Sequence, residues 1–338
     1  MGADTMTEKM RWGIIGTGMI ARTFAKNMTD SIHGVKQAVG SRDARKAQTF
    51  AAENDVAKAH GSYEALFKDP TVDAVYIATP HPCHLQPVMA ALAEGKHVLC
   101  EKPLGVTERE CREMVAAANE AGLTLLEAFM YRVHPQTQLI RRALEEGRIG
   151  QVRTIRSSFC YGLGDAYNVR TDLSLRGGGL YDVGCYCINF SRMAADQEPD
   201  NIAAVWTLGK DTGVDENLAA TLHFPNGAIA LFDVGIRGAG GVSAEILGTD
   251  GSLFIPKPWS PDPKHAEIEL RVKGKPAEVL AVKDGGVSFR LEADHFAQVV
   301  AGECEPLIPA ANAIGNAVVM DEIWCRMHGN SLRTNPGT

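Results

Sequence analysis

With 338 residues the chain is too long for one ordinary domain and comfortable for two, and 45% apolar with 22% charged residues is the balance of a globular protein in water. A formal net charge of −7 with no basic block argues against nucleic acid and anionic membrane surfaces as partners. The polar N-terminus carries no long apolar run, so no signal peptide or membrane span is expected, and eight cysteines scattered without C-x-x-C spacing read as reduced, cytoplasmic thiols.

The first apolar run, Trp12 to Ile15, reads as a buried strand, and Gly16 and Gly18 follow at once. Ile20, Phe24 and Met28 then repeat at helical spacing. Strand, glycine turn and helix in that order, with Ala21 as the third small residue, make the G-x-G-x-x-A form of the dinucleotide-binding fingerprint. Gly16 allows the tight turn, and Gly18 lets the backbone approach a pyrophosphate. Ala21 lets the helix lie close on its strand. Around Thr17, Met19 and Ile20 the helix start offers free N–H groups and a positive dipole end to the anion.

Further strands are expected at residues 35–39, 57–60, 72–77, 97–100 and 124–128, with helices at 44–53, 63–67, 85–93 and 107–121 between them. Alternation over about 125 residues means right-handed βαβ units and a parallel sheet covered on both faces. The pattern then changes. A helix at 135–146, a strand at 151–159 and a helix at 180–193 lead into strands at 202–208, 217–224 and 228–236, the last two joined by the hairpin signal Pro225-Asn226-Gly227. Strands at 242–247, 268–272 and 278–282 and helices at 289–301 and 311–327 complete the chain. Strands linked by turns indicate a largely antiparallel sheet, so residues 129–338 read as an α+β domain following an α/β domain of residues 1–128.

In a fold of this kind an acidic residue about twenty positions beyond the glycine turn binds the ribose hydroxyls. Here that place reads Gly40-Ser41-Arg42-Asp43. The hydroxyl of Ser41 and the guanidinium of Arg42 suit a 2′-phosphate, and Lys46 adds charge one turn on, so NADP(H) is expected ahead of NAD. Asp43 keeps a plain ribose as the alternative. Ligands of open α/β sheets bind beyond the carboxyl ends of the strands, where Glu101-Lys102-Pro103 falls. A lysine there faces the nicotinamide.

Several separated motifs, in order, resemble the Gfo/Idh/MocA oxidoreductase superfamily over nearly the whole chain. They are Gly16-Thr17-Gly18, Glu101-Lys102-Pro103, the run from Glu127 to Arg132 with His134-Pro135, and Gly177-Gly178-Gly179 followed by Asp182-Val183-Gly184-Cys185-Tyr186. The resemblance implies an N-terminal Rossmann domain and a C-terminal domain on a large open sheet whose flat face mediates oligomerisation, as a homodimer or homotetramer. It also implies NAD(P)-linked oxidation or reduction of sugars, polyols and diols.

The family lysine corresponds to Lys102 and its acidic helix residue to Asp182. Tyr186 stands where inositol-type members carry histidine, which is similar to the dihydrodiol dehydrogenase, xylose dehydrogenase and glucose-fructose oxidoreductase branch. Asp182 and Tyr186 are i,i+4 on one helix face. A phenol of pKa about 10 is a poor base alone, and a neighbouring ammonium favours the phenolate. Tyr186 is therefore expected as acid/base, Lys102 as its electrostatic partner, and Asp182 as the group that positions substrate hydroxyls. Cofactor contacts implied by the resemblance are Thr79, Pro80, His81, His84, Glu101, Arg132 and Arg170. His81 and His84, without a second pair of ligands, make a poor metal site, and none is expected. His134 suits a packed structural role and Arg176 a surface one. The expected activity is an NADP(H)-dependent aldose 1-dehydrogenase, with a ketosugar reductase or trans-dihydrodiol dehydrogenase as the alternative and a non-catalytic NADP-binding regulator as the alternative of another class.

Overall fold

Trp12, Ile14 and Ile15 are fully buried in β1 (Met10–Ile15), as a strand inside a doubly covered parallel sheet requires. The computed structural model describes residues 8–164 and 168–329. Around β1 stand β2 (Gly34–Gly40), β3 (Lys58–His60), β4 (Ala74–Ile77), β5 (His97–Glu101) and β6 (Leu125–Ala128). All pairings are parallel and the spatial order is β3-β2-β1-β4-β5-β6. The direction of winding reverses between β1 and β4, the switch point at which sheets of this kind bind ligands.

The chain falls into two units that interleave along the sequence. The first comprises Met1–Gly105, Glu110–His134 and Gly286–Asn312; the second comprises Val106–Arg109, Pro135–Gly285 and Ala313–Thr338. A single boundary near Ala128 therefore does not describe the division. The helix Ser288–Val300, expected in the C-terminal domain, packs in the first unit because its apolar stripe matches that core. Phe296 sets its ring 5.1 Å from that of Trp12, and Ala293 and Ala297 are buried beside it. Asp294 accepts hydrogen bonds from the Ser31 hydroxyl at 2.5 Å and the His33 N–H at 3.2 Å. Phe24, in the helix Met19–Asn27, stacks on Tyr76 of β4 at 3.8 Å and closes the same cluster.

The second unit is built on β7 (Val152–Gly162), β8 (Asn201–Leu208), β9 (Asp215–His223), β10 (Ile229–Gly235), β11 (Arg237–Gly248), β12 (Gly251–Ile255), β13 (His265–Val272) and β14 (Glu278–Lys283). The order is β14-β13-β12-β11-β7-β10-β9-β8, antiparallel except where β10 lies parallel to β7. The sequence pattern missed β12, a five-residue strand that opens on Gly-Ser, and the glycine-rich start of β11. Both are held by pairing with distant partners rather than by their own propensity.

One helix was expected over 180–193. Instead, a five-residue π-helical turn, Leu180–Gly184, runs into the α-helix Cys185–Ala195. Glycines at both ends of that turn lower the preference for regular α geometry, and π segments recur at functional sites. The helix covers one face of the sheet, where Ala230, Phe232 and Val234 of β10 are buried. The alternate residues Ile229 and Leu231 point the other way and are exposed, as is Val205 of β8, so this unit shows apolar side chains on both faces.

Candidate active site

In the first unit, β1 delivers the chain to Gly16, whose φ of +103° suits glycine alone. Its N–H donates to the Gly40 carbonyl at 3.0 Å, and a Cβ there would lie 3.1 Å from the Ala78 carbonyl oxygen. Gly18 caps the helix Met19–Asn27 without a side-chain hydrogen bond, and no acidic residue occupies the first turn. A Cβ on Gly18 would meet open space among the described residues. Ala21 is fully buried against the sheet, whereas Met19 is 72% exposed. Uncapped donors, open space and the dipole end together fit a pyrophosphate.

At the end of β2, Ser41 is buried, its N–H donating to the His60 carbonyl and its hydroxyl accepting from the Asp43 N–H at 3.2 Å. Asp43 caps the helix Ala44–Asn54, taking the N–H groups of Arg45 and Lys46 at 2.9 and 3.2 Å. One oxygen, Oδ1, of the carboxylate that would have served a plain ribose is thus engaged in a cap. Arg42 and Lys46 are exposed. Arg42 hydrogen-bonds the Tyr63 hydroxyl, a residue the motif reading did not single out; burial raises the Tyr63 pKa and the guanidinium opposes that rise.

Lys102, half-buried, follows β5 directly. Glu101 beside it is buried, accepting from the Tyr76 hydroxyl and from the Lys102 N–H. Glu127 takes the Leu104 N–H at 2.8 Å and so fastens the segment after the lysine. His84, expected to touch the cofactor, is fully buried with both ring nitrogens against backbone carbonyls: Nδ1 at 3.0 Å from Pro103 O and Nε2 at 2.8 Å from Thr79 O. It braces the two loops and offers no ring nitrogen outward. Burial lowers its pKa against the opposing carbonyls, and the Lys102 ammonium pushes the same way.

Thr79 donates its hydroxyl to the Cys83 carbonyl at 3.2 Å; Pro80 is exposed and His81 half-buried on that loop. Arg132 is buried on the short helix Met130–Val133, and His134 is fully buried, as a packed histidine should be. Glu292, from the far end of the chain, is also buried. Desolvation, reinforced by the charge of Glu101, holds its carboxyl well above the usual range. Nothing local in the sequence pairs residue 292 with residue 101. Among the described residues no cluster of His, Cys, Asp or Glu has the make-up of a metal site.

In the second unit, Asp182 on the π turn receives the Tyr161 hydroxyl at 2.5 Å and Arg170 Nε at 2.8 Å, both on Oδ2. Arg170, expected against the cofactor, is paired in this unit with the acidic helix residue. Tyr186 follows one turn later, 7% exposed, its ring 5.5 Å from that of Phe159 and 5.9 Å from that of Trp259. The ring is thereby fixed in an aromatic cluster that Trp259 anchors by donating Nε1–H to the Ser158 carbonyl at 3.1 Å. Tyr161 and Trp259 lie outside any motif, and only the folded sheet joins them to Asp182 and Tyr186. Arg176 is not a bare surface charge. It lies 4.7 Å over the Trp324 ring and donates to the Tyr181 hydroxyl at 2.9 Å.

A family model described as an oxidoreductase family with NAD-binding Rossmann fold matches residues 10–129, and the model of the Gfo/Idh/MocA C-terminal domain matches residues 137–254. Proteins named trans-1,2-dihydrobenzene-1,2-diol dehydrogenase are similar: that of Mus musculus is 38% identical, covering 93% of this chain and 95% of its own, and that of Homo sapiens is 35% identical, covering 93% and 96%. Among solved structures, a 3-ketoreductase from Actinomadura kijaniata in complex with NADP and TDP-benzene is 28% identical with a TM-score of 0.84, over 93% of this chain and 96% of that one. An aldose-aldose oxidoreductase from Caulobacter crescentus shares the fold, with a TM-score of 0.87 at 23% identity over 95% and 98% of the two chains.

Proposed function

Because the chain belongs to the Gfo/Idh/MocA oxidoreductase family, it is a dehydrogenase of carbinol groups, and we propose that vicinal diols rank ahead of aldoses as its substrates. The relatives named as dihydrodiol dehydrogenases support that order. So does Phe159, partly exposed beside Tyr186, which offers an apolar face to a cyclic diol. NADP is the cofactor. The observation that carries this is the end of β2, where Ser41 and Arg42 replace an acidic residue and Asp43 Oδ1 is engaged in a helix cap.

NADP, when bound, supplies the hydride acceptor at nicotinamide C4. The uncapped helix start after Gly18 holds the pyrophosphate, and Arg42 with Lys46 meets the 2′-phosphate. Tyr186 takes the hydroxyl proton as the carbinol becomes a carbonyl, and returns it in the reverse direction. Lys102 carries the positive charge that an oxyanion calls for. Asp182, ion-paired with Arg170, accepts from the neighbouring substrate hydroxyl and so selects which carbinol reacts. A panel of cyclic trans-diols, inositols and aldoses, followed by NADPH absorbance, tests the reading. Turnover confined to aldoses would reverse the order, and binding of NADP without turnover of any member would favour a regulator.

We also infer a homodimer or homotetramer. The outer sheet face shows Val205, Ile229 and Leu231, 41% or more exposed, around the Arg156–Glu245 ion pair, and a second copy is the occupant that would cover it. No described helix is long and apolar enough to cross a membrane. The eight cysteines are all free, which supports a cytoplasmic setting.

A further inference from the structure

Asp215, the first residue of β9, is completely buried yet belongs to no motif and to none of the roles above. Its Oδ2 accepts the Leu180 N–H at 2.7 Å, and the Gly179 N–H also donates to the carboxyl group. Its Oδ1 is buried without a hydrogen-bond partner. These N–H groups open the π turn that carries Asp182 and leads to Tyr186.

The glycine triplet is shaped around this carboxyl group. Gly178 has φ +111°, and a Cβ there would lie 2.0 Å from Asp215 Oδ1. The other flank of the triplet is equally close. The Gly178 N–H donates to the Arg170 carbonyl at 2.8 Å, and a Cβ on Gly177 would stand 2.5 Å from that same oxygen. The backbone of the triplet is therefore clasped between Asp215 on one side and the Arg170 segment on the other, and the Arg170 side chain returns to Asp182. Asp182 lies on the turn that Gly179 opens, and Tyr186 follows in the helix that continues it.

We propose that Asp215 is a positioning residue of the active site: by holding the N–H groups of Gly179 and Leu180 it fixes where the helix bearing Asp182 and Tyr186 begins. The carboxyl group does not touch the substrate. It is present as a buried acceptor because a shorter side chain would leave two N–H groups of the turn unsatisfied and the turn free to shift. The inference rests on the reading of Tyr186 and Asp182 given above.

The test compares Asp215→Ala, Asp215→Asn and Gly179→Ala in the full-length protein. Gly179 has ordinary helical angles, and its added Cβ would lie 3.3 Å from Asp215 Oδ2, so that variant presses on the grip without forbidding the fold. Asp215→Ala is expected to lower kcat on the best diol at least tenfold while the Kd for NADP, read by fluorescence, stays within twofold. Asp215→Asn, which keeps an acceptor oxygen, recovers most of the loss. Gly179→Ala lowers kcat several-fold, and it decides the matter if Asp215→Ala does not fold. In a Tyr186→Phe background, adding Asp215→Ala has little further effect on kcat, because the lost group is the one it positions. Retention of kcat within twofold in Gly179→Ala and in any folded Asp215→Ala overturns the inference, and so does a full, additive loss in the Tyr186→Phe background. The reading of Tyr186 fails separately if Tyr186→Phe alone keeps its kcat. The cycle is then run against Asp182→Asn, where additivity again overturns the role of Asp215.

Discussion

Arg42→Ala is the sharpest test of cofactor choice, because among the described residues no carboxylate forms an ion pair with this guanidinium. Asp43 Oδ1 is taken by two backbone N–H groups, and Arg42 reaches the Tyr63 hydroxyl. Two unit charges about 4 Å apart attract by about 1 kcal/mol in water, and a bound phosphate carries nearly two. Since Arg42 is exposed, the water value applies, and the loss is about 2 kcal/mol, roughly 30-fold in kcat/KM for NADP. NAD has no 2′-phosphate, so its kcat/KM should change less than about threefold. The assay is initial rate against each cofactor at saturating diol, at low and at high ionic strength. The NADP preference of the wild type should shrink as salt rises, because the pair is screened within about 8 Å at physiological ionic strength. Tyr63→Phe should cost a fraction of the Arg42→Ala loss. A wild type that prefers NAD, or an Arg42→Ala protein whose cofactor ratio is unchanged, refutes the reasoning.

Tyr186→Phe keeps the ring on Phe159 and Trp259 but removes the phenol, so kcat should fall by about 10²–10⁴-fold with Tm and NADP affinity nearly constant. Lys102→Met should lower kcat by a similar factor, and the double variant should be little worse than either single one; full additivity would show that the two do not act as a unit. Val205→Asp, on a residue 71% exposed in β8, should shift light scattering from an oligomer toward the 36.4 kDa monomer, and a monomeric wild type at micromolar concentration would end the assembly proposal. Asp215 gives a pH signature. Burial pushes its carboxyl up to about 7 from an ordinary value near 4, so between those values the folded state keeps a proton that the unfolded chain releases. Stability should therefore fall as pH rises through that window, by at most about 1.4 kcal/mol per pH unit, and level off above it. Denaturation of Asp215→Asn should lack this slope, and equal slopes in the two proteins would contradict the assignment.

The features legible in the sequence are those fixed by neighbours a few residues apart. Gly16, Gly18 and Ala21 follow a strand at set spacing, and Lys102 ends another, so the turn and the lysine are readable without any tertiary knowledge. The alternation of strand and helix likewise revealed the parallel sheet. What stayed hidden depends on contacts across the fold. Tyr161 reaches Asp182 over 21 positions and Asp215 reaches Leu180 over 35, and neither carries a local pattern to announce it. His84 shows the converse. Its place in a cofactor loop suggested a ligand contact, but only the fold reveals that both ring nitrogens meet carbonyls. The helix Ser288–Val300 was found as a helix and assigned to the wrong neighbours, because amphipathicity shows that a face is buried but not against what.

That returning helix also bears on how the protein comes into being on the ribosome. Trp12 and Phe24 appear early in synthesis, but the ring of Phe296 that covers Trp12 is made almost 300 residues later. Until then the first sheet has an open apolar flank, and Ser31 and His33 lack the carboxylate of Asp294. A fragment ending near residue 134, the natural choice for an isolated nucleotide-binding piece, would carry that defect permanently. A large aromatic core side chain removed by truncation typically costs about 3–5 kcal/mol, much of the margin of an ordinary domain. A permuted gene that joins residues 286–312 to the N-terminus would shorten the wait.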